Sequence, residues 1–443
     1  MANEYTRWAE QLFDPGRAGE KPEALRGVRV LDPGIVVLGP VAAALLAEFG
    51  AEVIKIEMPG IGDRLIRAVT PWARFWQNAA LNQFQEGRNK YHVTIDLHRP
   101  EGQRLFRDLA ARSDVVVDNF VSGTMDEWGI GYRQLSEINP RIIYVALTGF
   151  GQWGPRSSWP AFDAIAQAVS GLASITGFPD GPFVKSGTWI GDYAGAMFGA
   201  TAVLAALHWR ERSGKGQVID LSQSMALMRT LDWTWAFEGL TGRERMRAGN
   251  RDPAVSPSGY FRCRDGLVAV GAAGDAAFAG LCAAMGRPEL AGEPRFATNA
   301  DRTRVEAARE LGAIVESWAA GQTRAEVEAA ALAHGFAAAP VMDFGEIYHD
   351  EHCRARGTVT MFEDSVYGPV AHPGPTPKLS GTPPRLRWSG RPVGFHNAYV
   401  FSEVLGLSDE EIRALEEAGV IGAWQEGPGR SPPEGWSGAG RTV

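Results

Sequence analysis

One carboxylate in this chain stands where a covalent nucleophile could operate. Asp192 follows Gly191 and precedes the apolar run 194–206, which carries no charged side chain. A helix of that composition must be buried, so Asp192 is predicted at the mouth of a buried helix. Two roles are open to an aspartate at this position. Its oxygens cap the first free N–H groups of the helix, or its carboxylate attacks an electrophilic substrate.

Composition narrows the class of protein. The chain has 443 residues, more than a usual single domain, which predicts two domains. A net charge of -8 without a Lys/Arg cluster disfavours nucleic-acid partners. No apolar run reaches the roughly 18–20 residues of a membrane span, and no signal-peptide core is present. Three separated cysteines fit reduced thiols. We expect a cytoplasmic protein without a membrane partner.

The elements that must position Asp192 alternate between strands and helices. Apolar runs predict strands at 28–32, 52–57, 92–97, 115–117 and 141–147, with helices at 41–49 and 100–112. This alternation predicts a Rossmann-like, doubly wound α/β layer with a ligand crevice at the carboxyl ends of its strands. No G-x-G-x-x-G follows the first strand, which disfavours a nicotinamide dehydrogenase.

Shifts in composition predict the domain boundaries. They are a leader at 1–24, a large domain at 25–230, a linker at 231–257, a small α+β domain at 258–345, a further segment at 346–426, and a disordered tail at 427–443. The cluster from His349 to His352 has the spacing of two metal ligands. It lies on a polar turn without further ligands, so we interpret it as surface.

Nine short segments occur in a fixed order between about residues 25 and 420. They are Val28–Leu31 with Gly39-Pro40, 45–57, 87–90, Asp118-Asn119-Phe120, 163–172, Gly191-Asp192, 213–217, 378–383 and 407–412. In this order the chain resembles the family III CoA-transferases. That group includes formyl-CoA transferase, carnitine CoA-transferase and, as a divergent branch, α-methylacyl-CoA racemase.

The resemblance implies a fold and an activity. The fold is a Rossmann-like large domain built from both chain ends plus a smaller α+β domain, in an interlocked homodimer. Residues 346–426 are then the return linker and the C-terminal part of the large domain. Asp192 is the nucleophile that moves CoA from an acyl-CoA to a free carboxylic acid through an aspartyl-CoA thioester. The CoA thioester is a substrate, and no cofactor is permanently bound. Contacts with CoA are implied at Val37, Leu38, Arg88, Lys90, Ile95, Asp96, Leu97, Asn119, Phe120, Phe162 and Asp163.

Departures from the family pattern leave alternatives. Phe162 stands where the racemase branch has a proton-transferring histidine, which disfavours racemisation. Val121 and Glu127 replace the usual arginines, so the CoA phosphates need other partners, with Arg88, Lys90, Arg64 and Lys55 as candidates. Asp163 either caps a helix, contacts CoA or positions Asp192. Besides a transferase, an acyl-CoA racemase and a non-catalytic acyl-CoA-binding protein remain open.

Overall fold

The structure, a computed structural model, describes residues 3–68 and 74–438. The chain divides into two units. Unit 1 comprises Met1–Ser170, Gly187–Asp232 and Glu351–Val443, and unit 2 comprises Gly171–Ser186 and Trp233–Asp350. Unit 2 thus includes residues 171–186, which the sequence analysis placed in the large domain, and most of the predicted linker.

The strands alternate with helices through the first half of the chain. They are β1 (Arg29–Asp32), β2 (Glu52–Glu57), β3 (Phe75–Trp76), β4 (Ala79–Ala80), β5 (Lys90–Thr94), β6 (Val115–Asp118), β7 (Ile143–Thr148), β8 (Gln217–Ser222), β9 (Ser258–Cys263), β10 (Gly266–Gly271), β11 (Ala337–Pro340), β12 (Val359–Asp364) and β13 (Gly368–Pro373).

The helices are α1 (Glu4–Leu12), α2 (Leu38–Glu48), α3 (Leu81–Glu86), α4 (Pro100–Ala110), α5 (Thr124–Glu127), α6 (Tyr132–Ile138), α7 (Asp163–Val169), α8 (Leu172–Ile175), α9 (Ile190–Ser213), α10 (Gln223–Arg229), α11 (Thr234–Thr241), α12 (Asp275–Ala284), α13 (Asn299–Arg302), α14 (Val305–Ala320), α15 (Arg324–His334), α16 (Phe344–His349), α17 (Glu351–Ala355) and α18 (Asp409–Glu417). A π-helix spans Tyr399–Val404.

Unit 1 is built on a parallel sheet with the strand order β5-β2-β1-β6-β7-β8. In register, Val30 lies opposite Val53 on β2 and Val115 on β6. Successive residues of the central strands enter different cores: Val30 packs in the core that includes α2 and α9, and Leu31 in the core that includes α4. Burial on both faces explains why these strands read as continuous apolar runs. Between β1 and β6 the direction in which successive strands are added to the sheet reverses, which is the kind of position where open parallel sheets bind ligands.

The edge strand β5 begins and ends earlier than the predicted strand 92–97. Its outward N–H groups are covered by side chains from the far end of the sequence. The N–H of His92 donates to Nδ1 of His396 at 2.9 Å, and that of Thr94 to Oδ1 of Asn397 at 3.0 Å. The C-terminal part of the chain thereby closes one edge of the sheet.

Helix α9 is not enclosed on all sides in the single chain. Gly195 lies so close to α2 that a Cβ there would stand 2.7 Å from Cδ1 of Leu38. The opposite face exposes Met197, Phe198 and Leu204. Among the described helices, α9 alone is long and apolar enough to cross a membrane by length and composition, and half of its apolar window is buried within the protein, as in a core helix.

Residues 427–438 pack against other parts of unit 1, whereas their composition predicted a disordered tail. Asn78 Nδ2 donates to Oγ of Ser431 at 2.6 Å, and the Trp436 ring lies 5.5 Å from that of Phe395. The two tryptophans of this region, Trp424 and Trp436, supply apolar area that the Gly/Pro-rich composition conceals. The predicted tail's last residues, 439–443, lie outside the described residues.

Unit 2 contains an antiparallel sheet in the order β11-β10-β9. Strands β9 and β10 form a hairpin around Arg264-Asp265, with Cys263 opposite Gly266. Helices α12, α14 and α15 contribute Phe278, Leu311 and Val327 to one core with the sheet.

Candidate active site

Asp192 lies in the first turn of α9, as the third residue of the helix. The N-cap of α9 is Trp189, which makes no side-chain capping bond, so Asp192 does not occupy the capping position that was one of its two possible roles. The carboxylate instead accepts a hydrogen bond at Oδ1 from Nε2 of Gln223, at 2.8 Å. Gln223 is the first residue of α10, directly after β8, so the carboxyl end of a sheet strand supplies this contact.

The backbone just before Asp192 is bound by a second carboxylate. The N–H of Gly191 donates to Oδ1 of Asp163 at 2.7 Å, and Gln167 Nε2 donates to the other oxygen at 2.6 Å. A Cβ on Gly191 would lie 3.0 Å from Asp163 and 3.1 Å from Leu227. Glycine at 191 therefore permits the close approach of α9 to α7 and α10. Of the three roles considered for Asp163, this contact with the helix that carries Asp192 is the one that a positioning role requires.

Tyr193, on the other side of Asp192, reaches a third carboxylate. Its hydroxyl donates to Oε1 of Glu86 at 2.7 Å and accepts from Nε2 of Gln85 at 3.0 Å. Glu86 is the last residue of α3 and is buried.

The surroundings of Asp192 make its carboxylate unusually basic. Burial, followed by the negative charges of Asp163 and Glu86, raises the pKa of Asp192 to about 7, while the hydrogen bond from Gln223 acts in the opposite direction. A carboxylate that is only partly buried and is this basic can be ionised near neutral pH and attack an electrophile.

The first loop of unit 1 lies beside α9. Val37 is the N-cap of α2, and Leu38 contacts the helix next to Gly195. The amide of Asn119, at the end of β6, holds this loop: its Oδ1 accepts from the N–H of Ile35 and its Nδ2 donates to the carbonyl of Ile35, both at 2.7 Å. Contacts among α2, α7 and α9 thus connect five of the predicted residues: Val37, Leu38, Asn119, Asp163 and Asp192.

Arg88 and Lys90 do not present free charges, which corrects their predicted contact with the CoA phosphates. Lys90 is fully buried, and its ammonium donates to Oδ2 of Asp32 and to the carbonyl of Pro40, both at 2.7 Å. Arg88 is buried and forms an ion pair with Glu48. Both cations are therefore removed from solvent, and each one is paired with a carboxylate inside the protein.

The other two candidate cations differ from each other. Lys55 is buried, with its ammonium 3.7 Å from Oδ1 of Asp32, whereas Arg64 is exposed in the segment after β2.

The remaining predicted residues lie at the carboxyl edge of the sheet or next to the site. Ile95 and Leu97 are buried in the core with α4. The carboxylate of Asp96 accepts from the N–H of His98 at 3.1 Å. The Phe120 ring packs on Trp128 with centroids 5.3 Å apart, and Phe162 is 60% exposed immediately before α7.

Sequence reasoning missed Gln223, Glu86 and Tyr193. Gln223 directly follows β8, at the carboxyl edge of the sheet, where open parallel sheets bind ligands. Glu86 and Tyr193 are 107 residues apart, and no local pattern predicts such a pair. Within the described ranges, no group of three or more side chains that could hold a metal ion occurs. His349 and His352 are exposed.

Comparisons with known proteins identify the family of this chain. Residues 25–397 match CoA-transferase family III. The chain belongs to the family III CoA-transferases. This CoA-transferase is 38% identical to the succinyl-CoA–D-citramalate CoA-transferase of Chloroflexus aurantiacus over 90% of its own length and 98% of the relative's. It is 33% identical to the mouse (Mus musculus) succinyl-CoA:glutarate CoA-transferase, over 90% of each chain.

The fold of this CoA-transferase also has a solved counterpart. The crystal structure of a CAIB/BAIF family protein from Brucella suis superposes with a TM-score of 0.75 at 29% identity. The likeness covers 87% of this chain and 100% of that one. The predictions of a family III member and of CoA-transferase activity are confirmed.

Proposed function

We propose that Asp192 is the covalent nucleophile of this CoA-transferase. The observation that carries the proposal is the basic, partly buried carboxylate in the first turn of α9, hydrogen-bonded to Gln223 and flanked by the carboxylates of Asp163 and Glu86. Asp192 needs only to be ionised and placed against a thioester carbonyl for the reaction to begin.

The reaction then runs in four balanced steps. An Asp192 oxygen attacks the thioester carbonyl, the C–S bond breaks, and a mixed anhydride and CoA thiolate result. The thiolate attacks the aspartyl carbonyl, forming an aspartyl-CoA thioester and releasing the donor acid as its carboxylate. The acceptor carboxylate attacks that thioester and expels the thiolate again. Finally the thiolate attacks the acceptor's carbonyl in the second anhydride, giving the product acyl-CoA and free Asp192.

The loop at the N-terminus of α2 is the proposed contact surface for CoA, with Val37 and Leu38 beside α9 and Asn119 holding the loop. Arg64 replaces Arg88 and Lys90 as the candidate phosphate partner, since it is the exposed one of the four cations considered.

The substrates are proposed to be dicarboxylic. Both relatives named above take succinyl-CoA as the donor by name, with citramalate or glutarate as the other acid. We therefore assign succinyl-CoA as the donor and a second dicarboxylate as the acceptor. CoA is bound only as substrate, without a permanently bound cofactor, and the cytoplasm, where acyl-CoA esters are made and used, is the proposed compartment.

An interlocked homodimer is the proposed assembly. Its support is the exposed apolar face of α9, where Met197 is 55% and Leu204 41% exposed in the single chain. Apolar patches of this kind mark protein–protein interfaces. Sedimentation equilibrium is expected to show a dimer at micromolar concentration, and a folded monomer would contradict the assignment.

The test of the nucleophile uses Asp192→Ala and Asp192→Asn, with Asp108→Asn on the exposed face of α4 as the matched control. The protein is incubated with succinyl-CoA and then with hydroxylamine or borohydride, and peptides are analysed by mass spectrometry. We expect an adduct on Asp192 in the parent and in the Asp108 variant. Transfer to an acid should fall by several orders of magnitude in both Asp192 variants. An Asp192 variant that folds and still transfers CoA near the parent rate would exclude the mechanism.

A further inference from the structure

Three consecutive residues in the first turn of α9 are held by three different elements. Gly191 is bound by Asp163 of α7, Asp192 by Gln223 of α10, and Tyr193 by Glu86 of α3. The first two contacts hold the proposed nucleophile itself or the residue directly before it. The third connects the residue after Asp192 to a buried carboxylate, Glu86, which takes no part in the four reaction steps described above.

Glu86 has an unusual setting for a side chain with no substrate contact. Its relative exposure is 4%, and burial raises its pKa to about 7, although the hydrogen bond from Tyr193 and the nearby cations act to lower it. The charged groups that face it from neighbouring elements are Lys90 on β5, Arg88 before β5, and Glu48 on α2. Lys90 and Arg88 are already paired with Asp32 and Glu48, respectively. The negative charge on Glu86 is therefore only partly compensated.

We propose that Glu86 is a positioning residue for Asp192: it fixes the first turn of α9 through the hydroxyl of Tyr193 and places a second negative charge beside the attacking carboxylate. This inference rests on the proposed role of Asp192. Fixing the turn holds the carboxylate in one orientation. The added negative charge disfavours ionisation of Asp192, so the carboxylate, once ionised, is more basic. Nucleophilic strength toward the thioester rises with that basicity.

The sign of the effect is defined by the charges that face Asp192. Glu86 and Asp163 both raise the pKa of Asp192, and Gln223 lowers it. Glu86→Gln keeps the shape and a hydrogen-bond acceptor for Tyr193 but removes the charge. The pKa of Asp192 should then fall. Because Glu86 and Asp192 titrate in the same pH range, the parent profile reports the pair.

The experiment measures kcat/KM for CoA transfer between pH 5 and 9. Glu86→Gln is expected to move the rising limb to lower pH by roughly one unit and to lower the plateau, because a less basic carboxylate is a weaker nucleophile. Tyr193→Phe removes the hydrogen bond that favours ionised Glu86. The rising limb of its kcat/KM profile should therefore also move to lower pH, but by less than in Glu86→Gln. Glu137→Gln, on an exposed position of α6, is the control and should retain the parent profile.

Two outcomes are decisive. An unmoved limb in Glu86→Gln, with or without lower activity, would leave Glu86 a purely structural residue and overturn the proposal. If Glu86→Gln does not fold, the rising limb of the kcat/KM profile of Tyr193→Phe is the test, and an unmoved limb there overturns the proposal. Adduct formation on Asp192 in the parent, followed by mass spectrometry, is a separate readout. Its absence refutes the proposed nucleophile, whereas its presence with an unmoved limb refutes only the role of Glu86.

Discussion

Replacing Asp192 by Asn should stabilise the protein while it destroys activity. The carboxylate is ionised in the unfolded chain above its ordinary pKa of 3.8, whereas in the folded chain its pKa is about 7. Folding therefore disfavours the charged form, and stability that is fully present below pH 4 is lost as the pH rises toward 7. Asparagine carries no charge and keeps an oxygen that can accept from Gln223.

The size of this effect follows from the same pKa. At 1.36 kcal/mol per pKa unit, the rise from 3.8 to about 7 corresponds to at most about 4 kcal/mol above pH 7. Asp192 is not fully buried, and solvent relaxation around it reduces the figure, so we expect roughly 2 kcal/mol. For a chain of this size that is a few degrees in melting temperature.

The assay compares melting curves of the parent and Asp192→Asn at pH 5 and pH 8, with Asp108→Asn as the control for loss of an exposed carboxylate. The advantage of the Asn variant should be greater at pH 8 than at pH 5, and the control should show no such difference. A variant that melts at or below the parent temperature at pH 8 would refute the reasoning. It would mean that the folded protein solvates the Asp192 charge as well as water does.

Three further results are expected. Gln223→Leu removes the donor that lowers the pKa of Asp192, so the rising limb of kcat/KM should move to higher pH; movement to lower pH would contradict the contact. Lys90→Met removes the nearer of the two buried cations that pair with Asp32 and leaves only Lys55, at 3.7 Å. It should cost about 3–5 kcal/mol in thermal or urea unfolding with little change in KM for the acyl-CoA, whereas a raised KM with unchanged stability would restore its phosphate role. With Phe162 in place of a histidine, a chiral 2-methylacyl-CoA incubated in deuterated water should gain no α-deuterium by mass spectrometry, and rapid exchange would indicate a racemase.

The sequence predicted best where the signal was local. The apolar runs around Val30 and Val53 gave the central strands because a strand buried on both faces needs an unbroken apolar stretch. Asp192 stood out for the same reason, as a carboxylate next to a run without charges. The predicted ends of strand β5 were less accurate, because the strand's contacts are with residues about 300 positions away in the sequence.

Burial of charge was the feature that sequence reasoning could not supply. Arg88 and Lys90 look like phosphate ligands because cations are usually exposed. Their partners, Glu48 and Asp32, come from other strands and helices, and nothing in the spacing along the chain connects them. Glu86 was overlooked because its contact with Tyr193 exists only after α3 and α9 have packed.

The closing of β5 by the end of the chain has a consequence during synthesis. His92 and His396 are 304 residues apart, and ribosomes add about 5–20 residues per second. The outer N–H groups of β5 are therefore made about 15–60 seconds before the side chains that accept their hydrogen bonds. An uncovered strand edge is a template for pairing with another chain. Nascent copies on one messenger RNA thus have an interval in which they can join edge to edge, and chaperone occupancy should be greatest between the emergence of β5 and that of Asn397.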